Sequence, residues 1–119
     1  MAKSDSRDIE NITYMLAYCI QIEDCLVRFG NSYKIFESDK IYRAAVGMFV
    51  LQIGEHSIRL SNELKEKYTE IHWSDIHNMR NFLAHHYYKN KPQIIWNTAT
   101  VDVPVVRKFC EVLLAKHKL

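Results

Sequence analysis

Trp73-Ser74-Asp75-Ile76-His77-Asn78-Met79-Arg80-Asn81-Phe82-Leu83-Ala84-His85-His86-Tyr87-Tyr88 is the stretch whose reading decides the fold. It holds no glycine and no proline, so nothing in it interrupts a helical hydrogen-bond ladder. Ser74 can cap its start. Lys89-Asn90-Lys91-Pro92 ends it, because proline cannot continue the ladder. The rest of the chain repeats this character: 119 residues contain only 3 Gly and 2 Pro, which leaves few places to turn. Such scarcity favours a few long helices over many short strands.

Working towards the N-terminus, Asp5 or Ser6 can cap a first helix with Ile9, Ile12, Leu16, Cys19 or Ile20, Glu23, and Leu26 or Val27 at spacings of three and four. It ends near Phe29, where Gly30-Asn31 supplies the stop. Ser32 to Ser38 reads as a short connection anchored by Tyr33 and Phe36. Ser38 or Asp39 can cap a second helix, through about Leu64, with Ile41, Ala45, Met48, Leu51, Ile58 and Leu60 as its apolar positions. Gly47 and Gly54 fall near one face of it, each costing about 1 kcal/mol relative to alanine. The compensation to look for is the close approach of another backbone, from a second helix or a second subunit.

Lys65 to Thr69 reads as a charged hinge. Beyond the central stretch, Ile94-Ile95-Trp96-Asn97 reads as a short turn before a last helix from about Val101 to Lys116, with Pro104 in its first turn. There is no repeat and no low-complexity segment. The expectation is an all-α chain forming a single domain over residues 1–119.

A hydrophobic content of 48% and a charged content of 25% are ordinary for a soluble globule. The net charge of +2 permits a polyanionic partner without requiring one. Cys19, Cys25 and Cys110 are odd in number and form no C-x-x-C, which suits a reducing cytosol and apolar filler roles. The polar N-terminus is unlike an export signal. No apolar run approaches the roughly 18–20 residues that span a bilayer.

Within the central stretch, Arg80 and His85 are the pair that can do chemistry. RNA carries its own nucleophile, the ribose 2′-hydroxyl. Cleavage needs a base for that hydroxyl, a cation for the charge on the phosphorane, and an acid for the leaving 5′-oxygen. His85 suits acid or base work near neutral pH, and Arg80 grips phosphate oxygens in a fork. This route needs no metal or cofactor, and DNA, lacking the 2′-hydroxyl, cannot follow it. On a helix, His85 lies roughly 140° around from Arg80. For both to reach one phosphate, the arginine must wrap around, the helix must kink, or two copies must meet about a two-fold axis; the last predicts a homodimer. Asn81, one turn before His85, can orient its imidazole. Tyr87 returns to within about 20° of Arg80.

The other candidates read as structural. His72 and Asp75 could share a helix face, but His72, His77, His85 and His86 contain no H-x-x-x-H pair, so no metal site is expected. His56 reads as a surface or interface group. Trp73 and Trp96 read as core or interface anchors, and Tyr14, Tyr18, Tyr33, Tyr42 and Tyr68 as packing residues. The basic tail from Arg107 to Lys118 suits a helix C-terminus, with an RNA-binding edge as the competing reading.

The string Arg80-Asn81-x-x-x-His85-x-Tyr87 resembles the R-x-x-x-x-H-x-Y signature of the HepT-like HEPN ribonucleases, the toxins of HepT–MntA toxin–antitoxin pairs. The resemblance extends to Ala45 through Leu60, with its Ile53-Gly54-Glu55 element. It also takes in Ile71 through Met79, Trp96, and the Asp102-Val103-Pro104 turn. It implies a four- to five-helix HEPN-type bundle, a cytoplasmic homodimer, and a composite groove that cleaves RNA, whether tRNA or mRNA. Arg80 and His85 would be catalytic, with Asn81 as supporting polar residue. It further implies a partner, an MntA-like nucleotidyltransferase antitoxin that transfers AMP from ATP to Tyr87. A negatively charged group there would repel RNA from the nearby cation. His86 stands where the family often has a small residue, Tyr88 offers a second phenol, and His56-Ser57 replaces a small pair. The competing function is a binding module that holds a nucleotide or presents substrate to a nucleotidyltransferase; a structural scaffold is the blandest reading.

Overall fold

The computed structural model describes residues 3–86 and 91–118, and among these every regular element is helical. The elements are α1 (Lys3–Phe29), α2 (Tyr33–Ser38), α3 (Lys40–Ile58), α4 (Asn62–Lys67), α5 (Trp73–His86), α6 (Pro92–Asn97) and α7 (Val103–Lys118). A π-helical turn at Thr98–Asp102 joins the last two. The long helices build the bundle: α3 and α7 both pack on α1, and α5 rests on α3. No described helix is long and apolar enough to cross a membrane.

The first helix ends as its sequence predicts. Gly30 has φ +119°, a conformation open to glycine and strained for other residues. Its N–H donates to the Leu26 carbonyl at 3.1 Å, and its own carbonyl accepts from Tyr42 Oη at 2.9 Å. Ile12, Met15, Cys19, Ile22 and Cys25 form the buried stripe of α1. Of the expected positions, Ile12 and Cys19 are buried and Leu16 and Leu26 pack against the core, while the alternatives Ile20 and Val27 are exposed. Glu23 sits beside that stripe because it pairs with Arg107 of α7.

Asp39 caps α3 as expected, accepting from the Ile41 and Tyr42 N–H groups at 3.0 and 3.1 Å. The helix then stops at Ile58 rather than running to Leu64. The reason lies in α1: buried Asp8 accepts from the Ser61 N–H at 2.8 Å and from its hydroxyl at 2.6 Å. Ser61 in turn caps α4 through the Leu64 N–H. The segment expected as a charged hinge is therefore largely a short helix, α4. Ser32 to Ser38, expected as a connection, is mostly α2, whose Phe36 sits in an aromatic cluster with Tyr42 and Trp96.

Helix α5 begins at Trp73, so Ser74 lies inside its first turn and is not its cap. Trp73 packs edge-on against Phe109, and its indole N–H donates to the Tyr68 carbonyl at 3.0 Å. Tyr87, Tyr88, Lys89 and Asn90 lie outside the described residues. Pro92, expected as a breaker, is the first residue of α6, and Ile94 to Asn97 are helical rather than a turn. The helix passes through the π turn into α7, where the Val103 N–H reaches back to the Thr98 carbonyl. That widened turn accommodates Pro104, which has no N–H and whose ring would crowd the carbonyl four residues before it.

The three cysteines are free and buried. Burial pushes the Cys19 thiol up to about 12 and raises Cys110 as well, so both behave as apolar filler.

Candidate functional site

The phase of α5 is set by Leu83, which is 1% exposed in the core. Burying a leucine fully stabilises by about 1.5–3 kcal/mol, enough to fix how the helix rolls on its neighbours. With Leu83 inward, Asn81, Ala84 and His85 are exposed and Arg80 lies at the flank, half-buried against α3. His85 stands about 7.5 Å further along the axis than Arg80.

Arg80 is held on two sides. Its Nε donates to Glu55 Oε1 at 2.6 Å, across the α3–α5 contact, with both side chains about 30% exposed. Its Nη1 donates to Asn81 Oδ1 at 3.0 Å. Gly54, next to Glu55, is what permits this closeness. A Cβ on residue 54 would stand 2.5 Å from Arg80 Cβ and 3.0 Å from its Cγ. The close approach anticipated at the α3 glycines is thus made at Gly54 by α5, at the residue that carries the cation.

Asn81, expected beside the imidazole, contacts the guanidinium. Its side-chain carbonyl oxygen accepts from Arg80, and among the described residues no side-chain hydrogen bond joins Asn81 to the His85 imidazole. The contact nonetheless bears on geometry. Asn81 lies on the side of α5 that carries His85, one turn before it. The Nη1 end of Arg80 is therefore drawn partway around the helix towards the imidazole. Of the alternatives for bringing the two groups together, this is a partial wrap of the arginine.

Glu55 is the residue whose role sequence reasoning missed. It was quoted only inside Ile53-Gly54-Glu55. The signal was available: a carboxylate beside a glycine on a helix needing close contact, with an unpaired arginine elsewhere.

His56 is corrected by the structure. It is 8% exposed, between α1 and α3, rather than a surface group. Its Nδ1 lies 2.8 Å from Asn11 Oδ1, and its ring stacks on Tyr14 at 4.9 Å and against Tyr18. Burial lowers its pKa, and Arg59 adds to the effect.

The remaining candidates separate from the site. His72 and Asp75 meet at 3.7 Å, yet both are more than three-quarters exposed, and among the described residues no third ligand joins them. Arg107 of the basic tail is tied to Glu23 and Glu111, which removes it from any free cationic edge. Lys116 lies over the Tyr68 ring at 5.7 Å. A groove of about 450 Å³ between α5 and α7, lined by Ile76, Met79, Val101 and Val105, takes in neither Arg80 nor His85.

The chain is similar to several curated proteins. It is 32% identical over 89 residues to "Putative RNase TTE0752" of Caldanaerobacter subterraneus subsp. tengcongensis, covering 75% of this chain and 80% of that one. It is 31% identical over 81 residues to "Putative RNase MJ1380" of Methanocaldococcus jannaschii, covering 68% and 74%. Against "Probable ribonuclease HepT" of Thermococcus cleftensis it is 32% identical over 72 residues, covering 60% and 66%. No solved structure matches the chain significantly. A family model described as ribonuclease HepT-like matches residues 15–113, which runs from the middle of α1 into α7 and includes Glu55, Arg80 and His85. With its all-α, HEPN-type bundle, the chain belongs to the HepT-like ribonuclease family.

Proposed function

We propose that this protein is a metal-independent RNA endonuclease, the toxin of a toxin–antitoxin pair, with Arg80 and His85 as its catalytic residues. One observation carries the reading. In a chain of a ribonuclease family, the half-buried guanidinium of Arg80 is fixed at Nε and Nη1 on the helix that also carries the exposed His85 imidazole. His85 exchanges the proton of the 2′-hydroxyl or of the 5′-leaving oxygen. Arg80 stabilises the charge that grows on the phosphorane. The product is a 2′,3′-cyclic phosphate, and no metal or cofactor enters the scheme.

Each α5 presents its two groups on different sides of the helix. A homodimer that apposes two such flanks supplies an imidazole and a guanidinium from different copies to one scissile bond. Tyr87 is the acceptor for AMP from an MntA-like nucleotidyltransferase antitoxin. A phosphate-bearing group on a residue seven positions after Arg80 would add negative charge to this stretch and repel RNA. The site of action is the cytoplasm, on tRNA or mRNA; DNA is not a substrate.

The test is cleavage of RNA by the purified protein in EDTA, beside DNA of the same sequence. RNA alone is cut, and His85→Ala abolishes cutting while the melting temperature stays unchanged. A His85→Ala variant that cuts at the original rate removes His85 from the mechanism. Saturable ATP binding by calorimetry with no RNA cleavage replaces the nuclease with a nucleotide-binding module.

A further inference from the structure

We propose that Glu55 is the positioning residue for Arg80, orienting the guanidinium so that its Nη end, and not its Nε edge, meets the scissile phosphate; this rests on the nuclease reading above. A guanidinium has five N–H donors and two usable edges, one including Nε and one made by the two Nη groups. Here the Nε edge is closed by Glu55 Oε1 at 2.6 Å. One Nη1 donor goes to Asn81 at 3.0 Å. The three donors left for a ligand are all on the two Nη nitrogens.

The arrangement has the marks of a built support. Glu55 sits on α3 and Arg80 on α5, so the contact links the helix carrying the chemistry to the helix supporting it. Gly54 brings the two backbones close enough that the guanidinium need not extend outwards to find its partner. Because both side chains are only about 30% exposed, the pair is shielded from water on its inner side. An unsupported arginine on an exposed helix samples many rotamers, and ordering it would have to occur on the way to each transition state. Glu55 also offsets part of the positive charge in the free protein, while the Nη donors stay available to phosphate.

A positioning role makes distinct demands on the kinetics. Glu55→Ala in the full chain lowers kcat for RNA cleavage by about 10- to 100-fold, the scale expected when a catalytic group is misplaced by roughly an ångström. KM changes little, since Arg80 still provides attraction for RNA. Glu55→Gln, which keeps an acceptor for the Nε–H, restores most of the rate, and the pH–rate profile keeps both limbs where the wild type has them. Melting temperatures for both variants verify the fold. Wild-type kcat in Glu55→Ala overturns the proposal and leaves the nuclease reading intact. Equal inactivity of the Gln and Ala variants with a lost acid-side limb also overturns it, because Glu55 would then be a proton-transfer group. A wild-type protein that cuts no RNA overturns the nuclease reading, and this inference with it.

Discussion

Gly54→Ala tests the contact on which the site is built. In an unconstrained helix interior this substitution stabilises by about 1 kcal/mol, because alanine loses less backbone entropy. In α3 the added Cβ would lie 2.5 Å from Arg80 Cβ, 3.0 Å from its Cγ and 3.4 Å from its Cα. Carbon atoms pack at about 3.5–4.0 Å, so α5 must retreat by about 1 Å or more. Neither the Arg80 Cβ nor its Cα can move without the helix. Overpacking of this kind costs about 1–3 kcal/mol, against the gain of about 1 kcal/mol in propensity. With a contact of 2.5 Å to an atom that cannot move apart from its helix, the cost falls in the upper part of that range, about 2–3 kcal/mol, and the net effect is a loss of about 1–2 kcal/mol. For a chain of 119 residues that corresponds to a fall of roughly 3–10 °C in Tm. The assay is thermal unfolding followed by far-UV circular dichroism, with urea unfolding to check the free energy. Placing the same change in an Arg80→Gly background removes the opposing Cβ, and there alanine at position 54 becomes neutral or stabilising. A Tm equal to or above wild type in the single variant would refute the close α3–α5 approach. So would an undiminished destabilisation in the Arg80→Gly background.

Two further outcomes concern stability. Asp8→Ala leaves the Ser61 N–H and hydroxyl without their buried acceptor and loosens the α3–α4 junction. The expected cost is about 1–3 kcal/mol, read as a lower urea midpoint at constant m-value; an unchanged midpoint would contradict the role given to Asp8. His56 gives a pH dependence whose sign follows from its environment. Burial holds its folded pKa below the unfolded value, so the neutral imidazole is favoured by the fold. Its contribution is complete above the unfolded pKa near 6.5 and is lost as pH falls through the lower folded value. Tm should therefore drop between neutral and mildly acid pH, and by less in His56→Gln. Equal drops in both proteins would show that His56 is not responsible.

Much of the architecture was legible from local chemistry. Gly30 after Phe29 announced the end of α1, and Asp39 announced the start of α3, because a left-handed residue and a capping carboxylate act over one turn of backbone. Gly54 announced a close approach, though not its partner. The elements that were misread have nonlocal causes. Helix α3 stops early because Asp8, 53 residues away, captures Ser61. Ile94 to Asn97 lie in α6, where Trp96 is held by aromatic neighbours from α2 and α3.

The candidate site divides in the same way. Arg80 and His85 could be named from residue type and spacing, and their angular separation followed from helical geometry alone. That Arg80 leans on Glu55, 25 residues away, and takes Asn81 from His85 required knowing that α5 lies against α3. His56 and Asn11, 45 residues apart, make the same point. A single chain's pattern specifies which face of each helix is apolar, since that depends on a period of 3.6 residues. Which polar residue at the margin of one face meets which residue on another depends on how helices roll and close on one another. That is decided by packing summed over the whole core.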